Sequence, residues 1–449
     1  MFSQDRRSVL LLAKTTGFVL PSVEIRRWQR VAESLTAATR SKYGCVAISL
    51  FAPEMIAPPS HSDGRRYRAL ECQCNGEQHA GDAVWTSIHS LTRRSFRDEA
   101  DHEALQRGVV ESDSHENNPK ALFARRGWFA ELRRCVTDTI ARLGLQLCGP
   151  FSQFNASPSF SLIRFETNGP AVWFKAVGEP NQREFPVTLE LARSFPDYVP
   201  KIIGAQPAWN GWLSLEARGT SLDETTKIMD WAAAAKNLAR LQVESTSNTA
   251  SILDAGAHDV RLAALATLVD PFLEAIAQLM RCQSKVPPPV LTQKELALLR
   301  IRIHDSLTLL DQFEIPDGLG HLDLNPGNII VSPKGCVFLD WAEGYMGHPF
   351  FSFEYLLEHF RRSTGGCAHL ESQLVASYCK PWEQVVPSSV IAKSRRLTPL
   401  LAAFAYAVET NTWSDQKRLQ ESDFAGYLRS LARRMNKEAI QLVTEESHA

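Results

Sequence analysis

The sequence predicts a mixed α+β protein: a strand-rich stretch at about residues 150–215, a longer mainly helical stretch after it, and a small α+β segment in front. Three observations carry this. Ser159–Glu166 and Ala171–Val177 alternate apolar and polar residues around Asn168-Gly169, a dipeptide suited to a tight hairpin. Beyond about residue 216 the apolar spacing lengthens to the helical period, as in Asp230–Val243, Thr292–Leu310 and the tail from about Phe353 to Leu442. With 449 residues, 44% hydrophobic and 22% charged, the chain has the composition of a globular protein and the length of two or three domains.

The elements follow in order. Ser8–Ala13 and Cys45–Phe51 read as strands. Between them Glu24–Ala38 reads as a helix, with Ile25, Trp28, Val31 and Leu35 on one face. Glu111–Pro119 is polar and ends in proline, the signature of a linker. It divides the chain into a small α+β domain at 1–118, of unassigned role, and a larger domain at 119–449. In the latter, Ala121–Leu145 reads as a helix. After the hairpin come a helix at about Glu184–Ser194 and strands near Lys201–Ile203 and Trp212–Glu216. Thr292 with Glu295 three residues on is a capping box that opens the helix to Leu310.

Bulk properties narrow the function. A net charge of −1 does not favour nucleic acid as a partner. No apolar run reaches the roughly 18 residues that span a bilayer, so no membrane association is expected. Nine cysteines without a paired framework, and no signal-peptide core at the N-terminus, lead to the expectation of a cytoplasmic protein with reduced thiols. Cys72, Cys74, His61 and His79 match no zinc spacing.

The chemistry concentrates at His321-Leu-Asp-Leu-Asn-Pro-Gly-Asn328 and the segment running to Asp340-Trp341. Ile329–Val331 and Val337–Leu339 flank Pro333-Lys334-Gly335 and form a short hairpin. Asp323 and Asn328 precede it and Asp340 leaves it, so two carboxylates and an amide converge. Such hard oxygen donors suit Mg²⁺, and a carboxylate not engaged with metal can take a proton from an attacking hydroxyl. Upstream, Lys175 lies in the apolar strand Val172–Val177, where an ammonium needs an anionic partner.

These motifs resemble the catalytic loop of protein kinases and, more closely, that of the aminoglycoside phosphotransferase and choline kinase family. The likeness covers residues 150–360 and extends loosely into the tail. It implies a protein-kinase-like fold with two lobes, a β-rich N-lobe at about 150–215 and a helical C-lobe at about 216–449. It also implies a small-molecule kinase that moves the γ-phosphoryl of ATP or GTP, with Mg²⁺, onto the hydroxyl of a metabolite or antibiotic. By this resemblance Asp323 is the catalytic base, His321 braces the loop, and Asn328 and Asp340 hold Mg²⁺. Lys175 holds nucleotide phosphates and is oriented by a glutamate on the next helix. Glu184, on the face toward the sheet and in an Arg-Glu-Phe context, is preferred to Glu190. Ser157 and Ser159, in Asn155-Ala-Ser-Pro-Ser, stand where the family cradles phosphate, although a plain serine-rich turn explains them equally. Glu216 and Ala217 stand at the hinge that pairs with the base. After Asp340 the sequence departs from the family: His348 and Ser352 replace two expected aspartates, which puts the bracing of the metal loop in question. Glu343 and Glu354 lie nearby and could serve a cationic substrate, although solvated surface acids are the simpler reading of each. The other reading is a kinase-like module that binds nucleotide or metabolite without transfer.

Overall fold

The computed structural model describes residues 1–26, 28–55, 65–73, 82–409 and 412–446. Cys74, His61 and His79 lie outside them. The chain forms two compact units: Met1–Phe185 with Lys201–Glu216, and Pro186–Pro200 with Ala217–Ala449.

In the first unit, β1 (Ser8–Lys14) and β2 (Gly17–Val19) precede α1 (Val31–Tyr43), β3 (Ala47–Phe51), β4 (Ala69–Cys72), β5 (Ala83–Ser87) and α2 (Glu99–His115). β1 lies between β2 and β5, and β3 pairs with β4, all antiparallel. Next come α3 (Trp128–Ala141), β6 (Leu147–Ala156), β7 (Ser161–Thr167), β8 (Val172–Ala176), α4 (Glu184–Ser194), β9 (Ile202–Gln206) and β10 (Gly211–Leu215). β6–β10 form an antiparallel sheet in the order β6-β7-β8-β10-β9. The alternation that predicted β7 and β8 is the burial pattern observed: Ile163, Phe165, Val172, Phe174 and Ala176 point into the core and their neighbours point away.

One apolar core runs through this unit. Val9, Leu11, Ile48 and Leu50 pack in the same cluster as Leu132, Val136 and Ile140 of α3 and Ile163, Phe174 and Leu213 of the sheet. The compact units therefore do not divide at residue 118. Most of the expected linker is helix, since α2 continues to His115. The expected helix 121–145 is interrupted: Gly127, at φ 74°, caps a fresh start at Trp128. The helix expected at 24–38 begins only at Val31. Its buried face is Ala32, Thr36, Thr39 and Tyr43, while Trp28 is 87% exposed.

The second unit contains β11 (Thr220–Ser221), α5 (Ile228–Ser245), α6 (Thr249–Asp254), β12 (His258–Val260), α7 (Leu262–Arg281) and α8 (Gln293–Asp311). β13 (Gly318–His321), β14 (Ile329–Ser332), β15 (Gly335–Phe338) and β16 (Gly344–Gly347) follow, then α9 (Phe350–Thr364), α10 (Ala368–Trp382), α11 (Ser388–Val408), α12 (Gln416–Leu419) and α13 (Ser422–Glu446). The predicted capping box opens α8: Thr292 Oγ1 accepts from the Glu295 N–H and the Glu295 carboxylate accepts from the Thr292 N–H. α7, α8, α11 and α13 bury one apolar cluster, and α5, α9 and α10 with β13–β16 bury another. By length and composition α7 is apolar enough to cross a membrane; here Leu265, Val269, Phe272, Leu273 and Ile276 are buried in the first of these clusters, while Asp270 and Glu274 are exposed. The predicted α+β class holds, with strands concentrated in the first unit and helices in the second.

Candidate active site

Strand alternation decides where Lys175 points. With Phe174 and Ala176 in the core, Trp173 and Lys175 share the opposite face of β8. Lys175 pairs in register with Leu162 and Trp212. Its Nζ stands 2.5 Å from Glu184 Oε1 and 5.8 Å from the centroid of the Trp212 ring. Glu184 opens α4 and is 1% exposed. A carboxylate buried to this degree is stable only beside a cation, and a bonded ammonium supplies one. Glu190 instead accepts from Arg193 and Ser194. The helix-face argument that selected Glu184 agrees with this geometry.

Ser157 and Ser159 lie in the turn between β6 and β7. The Ser157 N–H donates to Phe160 O, and Pro158 O accepts from the Phe123 N–H at 3.0 Å. Ser159 leans on Gly178, where a Cβ would come within 2.5 Å of Ser159 Cβ. Glu216 is more committed than the hinge reading implies. Its N–H donates to Ala171 O at 2.8 Å. Its carboxylate accepts from both Arg164 Nε and Nη2 and from Trp173 Nε1. These bonds engage both the N–H and the carboxylate of Glu216.

In the second unit the catalytic-loop motif folds as the spacing predicts. β14 and β15 form the hairpin, in register from Ile329↔Phe338 to Ser332↔Gly335. His321, at the end of β13, is fully buried. Its Nδ1 accepts from the Asp323 N–H at 3.1 Å, which leaves Nε2–H to donate to Leu339 O at 3.1 Å. Burial holds the imidazole below its usual pKa, in keeping with this neutral tautomer. One ring thus ties the segment bearing Asp323 to the residue before Asp340, and Trp341 packs against it at 5.1 Å.

The carboxylate of Asp323 is oriented from both sides: Tyr355 Oη donates to Oδ1 at 3.1 Å and Asn325 Nδ2 to Oδ2 at 3.3 Å. Asn328 donates through Nδ2 to Asp323 O at 3.0 Å, which fixes its amide and directs Oδ1 away from that bond. Asp340 adopts the left-handed conformation at φ 63°, ψ 64°, uncommon outside glycine, so the backbone is held there by its surroundings.

The two replaced aspartates have defined roles. Ser352 Oγ accepts from the His321 N–H at 2.7 Å and donates to Tyr345 Oη at 3.1 Å, and Tyr345 Oη donates to His348 O at 3.0 Å. Tyr345 lies against Gly320, where any Cβ would stand 2.0 Å from its ring. A neutral serine therefore supplies the brace under the loop. His348 is buried, accepts from the Phe350 N–H at Nδ1, and reaches Ser394 Oγ at 3.2 Å; burial lowers its pKa to about 3.

Around Asp323 the chain gathers groups that have no local motif. Glu343 is pushed up to about 8 by burial first, then by the negative charges of Glu409, Asp323 and Asp340. Glu409 pairs with His258 Nε2 at 2.6 Å. The Tyr355 and Tyr406 rings are 5.7 Å apart, and Tyr427 donates a hydrogen bond to Tyr406. Glu354 is not among them: it is buried and bonded to Arg361 at 2.9 Å, which makes it part of the framework and corrects both its readings, as a substrate contact and as a solvated surface acid.

Among the described residues no group of three or more His, Cys, Asp or Glu side chains is placed to hold a metal. The pair Asp340 and Asn328 fits a different mode, in which one or two protein oxygens are completed by water and phosphate. Burial first, and then the charges of Glu409, Asp323 and Asp340, raise Glu343; a divalent cation would offset the second of these.

Residues 212–385 match the phosphotransferase enzyme family. The matched stretch contains the whole run from His321 to Asp340 and its Ser352 brace, whereas Lys175 and Glu184 precede it. Among solved structures, the macrolide 2'-phosphotransferase of Brachybacterium faecium is 15% identical, covering 67% of this chain and 97% of its own, with a TM-score of 0.42. The choline kinase of Cryptosporidium parvum is 12% identical, covering 66% and 90%, at 0.47. The ethanolamine kinase of Plasmodium vivax is 12% identical, covering 73% and 94%, at 0.47. None of the curated proteins matches the chain.

Proposed function

We propose that this protein transfers the γ-phosphoryl group of ATP or GTP to a hydroxyl of a small, positively charged acceptor. The observation that carries the reading is the state of Asp323: an ionisable carboxylate held from two sides by Tyr355 and Asn325, on a loop tied through His321 to the residue before Asp340. A module that only binds has no need of an oriented base.

In the step proposed, the Asp323 carboxylate takes the proton of the acceptor hydroxyl as its oxygen bonds to the γ-phosphorus. The bond from phosphorus to the bridging oxygen breaks, and the nucleoside diphosphate leaves with the electron pair. Asp323 then releases its proton to solvent. Asp340 and Asn328 would hold Mg²⁺, which when bound offsets the phosphate charge. Lys175, oriented by Glu184, would hold the phosphates of the nucleotide. A cationic acceptor is favoured by the rings of Tyr355 and Tyr406 near the base, and its charge would draw Glu343 back toward the ionised form.

The test is Mg²⁺-dependent turnover on a panel of hydroxylated amines and neutral alcohols, with two variants. Asp323→Asn keeps shape without basicity; it should bind Mg–nucleotide as wild type does while kcat falls about 10²- to 10⁴-fold. Asp340→Ala should lose nucleotide binding and turnover together. Full turnover by Asp323→Asn would overturn the mechanism.

A further inference from the structure

β6, the strand that enters the Asn155–Ser159 turn, is irregular at two places, between Leu147 and Phe151 and between Gln153 and Asn155, and the second lies close to the turn. β6 pairs Gln153 with Ile163 and Asn155 with Leu162, so Phe154 is an extra residue, a bulge immediately before the turn. A bulge re-aims the chain beyond it, and its geometry has to be fixed by something. Here the fixing groups come from residues 30–49.

Gln153 is fully buried, and its side chain acts as a strand partner to Ser49: Oε1 accepts from the Ser49 N–H at 2.7 Å and Nε2 donates to Ser49 O at 3.0 Å. Phe154 itself carries the guanidinium of Arg30 at 5.2 Å from its ring centroid. Its other neighbour is Trp173, at 4.8 Å, on the face of β8 that bears Lys175. Earlier in β6, Arg40 Nη2 donates to Phe151 O at 3.0 Å. Past the bulge the turn is held as well, by the Phe123 N–H on Pro158 O. Phe123 is itself set by Arg6, whose Nη2 donates to the adjacent Ala124 O while its Nε bonds the buried Glu71.

We infer that residues 1–118 act as a built-in brace that sets the bulge at Phe154 and thereby the position of the 155–159 turn against Lys175. The inference takes that turn as the phosphate cradle and so rests on the proposed function. Gln153 and Arg30 are positioning residues: they act through the bulge and need not touch the nucleotide. An unbraced β6 would be an edge strand ending in a turn with few bonds of its own, free to sample positions unsuited to phosphate.

The test uses the full chain and two single variants. Gln153→Leu removes both bonds to Ser49 within the core. Arg30→Ala lies at the surface and leaves the core intact, so it remains informative if Gln153→Leu folds poorly. Arg30→Lys is the conservative control. Amide hydrogen exchange over 153–160 reads the turn without any ligand, and calorimetry with Mg–ATP and Mg–GTP reads the consequence. The brace predicts faster exchange at 153–160 in both variants. The nucleotide Kd should rise about two- to fivefold for Arg30→Ala and about tenfold for Gln153→Leu. At saturating nucleotide kcat should change little, and Arg30→Lys should restore part of the affinity. Unchanged exchange in Arg30→Ala at 153–160 would overturn the brace. Faster exchange with no nucleotide binding even by the wild type would leave the brace standing and refute the phosphotransferase reading instead.

Discussion

Ser352→Ala puts the loop architecture to a test that needs no substrate. Ser352 Oγ is the acceptor of the His321 N–H and the donor to Tyr345 Oη, and all three residues are buried. Alanine leaves the His321 N–H without its acceptor in a site where a Cβ on Gly320 would already strike Tyr345, so nothing can move in to replace it. An orphaned buried N–H costs about 1–3 kcal/mol. Tyr345 keeps its own bond to His348 O, so its loss is partial. Urea unfolding of the second unit should therefore report about 2 kcal/mol of destabilisation. Ser352→Asp keeps an acceptor for the His321 N–H but buries a carboxylate with no cation beside it, so it should lose at least as much stability as alanine. Stability of Ser352→Ala within about 0.5 kcal/mol of wild type, the range of a neutral surface change, would refute the brace assigned to this serine.

Other outcomes follow from buried charges. Lys175→Met leaves Glu184 buried without its bonded ammonium and should cost about 3–5 kcal/mol by chemical denaturation. The double variant Lys175→Met, Glu184→Gln should recover part of that loss while still failing to bind Mg–nucleotide, and equal stability of the single and double variants would count against the pair. His348 is held neutral with a pKa near 3, below its unfolded value, so the unfolded chain binds the proton first and stability falls as pH drops below about 6.5. From pH 7.5 to 5.5 this one group should remove about 1.4 kcal/mol, and His348→Leu should flatten that limb of a stability-against-pH curve.

What was legible in the sequence is what depends on neighbours in the chain. The run from His321 to Asp340 sets its own geometry, because a hairpin of eight paired residues and one histidine suffice to bring its acids together. Lys175 and Glu184 are nine residues apart, and strand alternation with helix periodicity orients both. Distant partnerships left no such mark. Ser352 was visible only as a missing aspartate, since nothing in Pro349–Glu354 announces that a hydroxyl can accept the His321 N–H from 31 residues away. Tyr355, Tyr406, Tyr427 and Glu409 converge on Asp323 from three separate stretches, and the sole hint was their aromatic and acidic character. The start of α1 was misplaced because apolar spacing marked Ile25 and Trp28. The face that packs is instead small and hydroxylic, and Thr36 and Thr39 satisfy their hydroxyls on the preceding turn, so they bury without penalty. The division at residue 118 failed for the same physical reason. Polarity marks solvent exposure of Glu111–Pro119, whereas the bonds that weld the first strands to β6 run from Ser49 to Gln153, across 104 residues. A polar segment therefore identifies a surface of the fold; whether the chain on either side shares a core depends on contacts that composition does not encode.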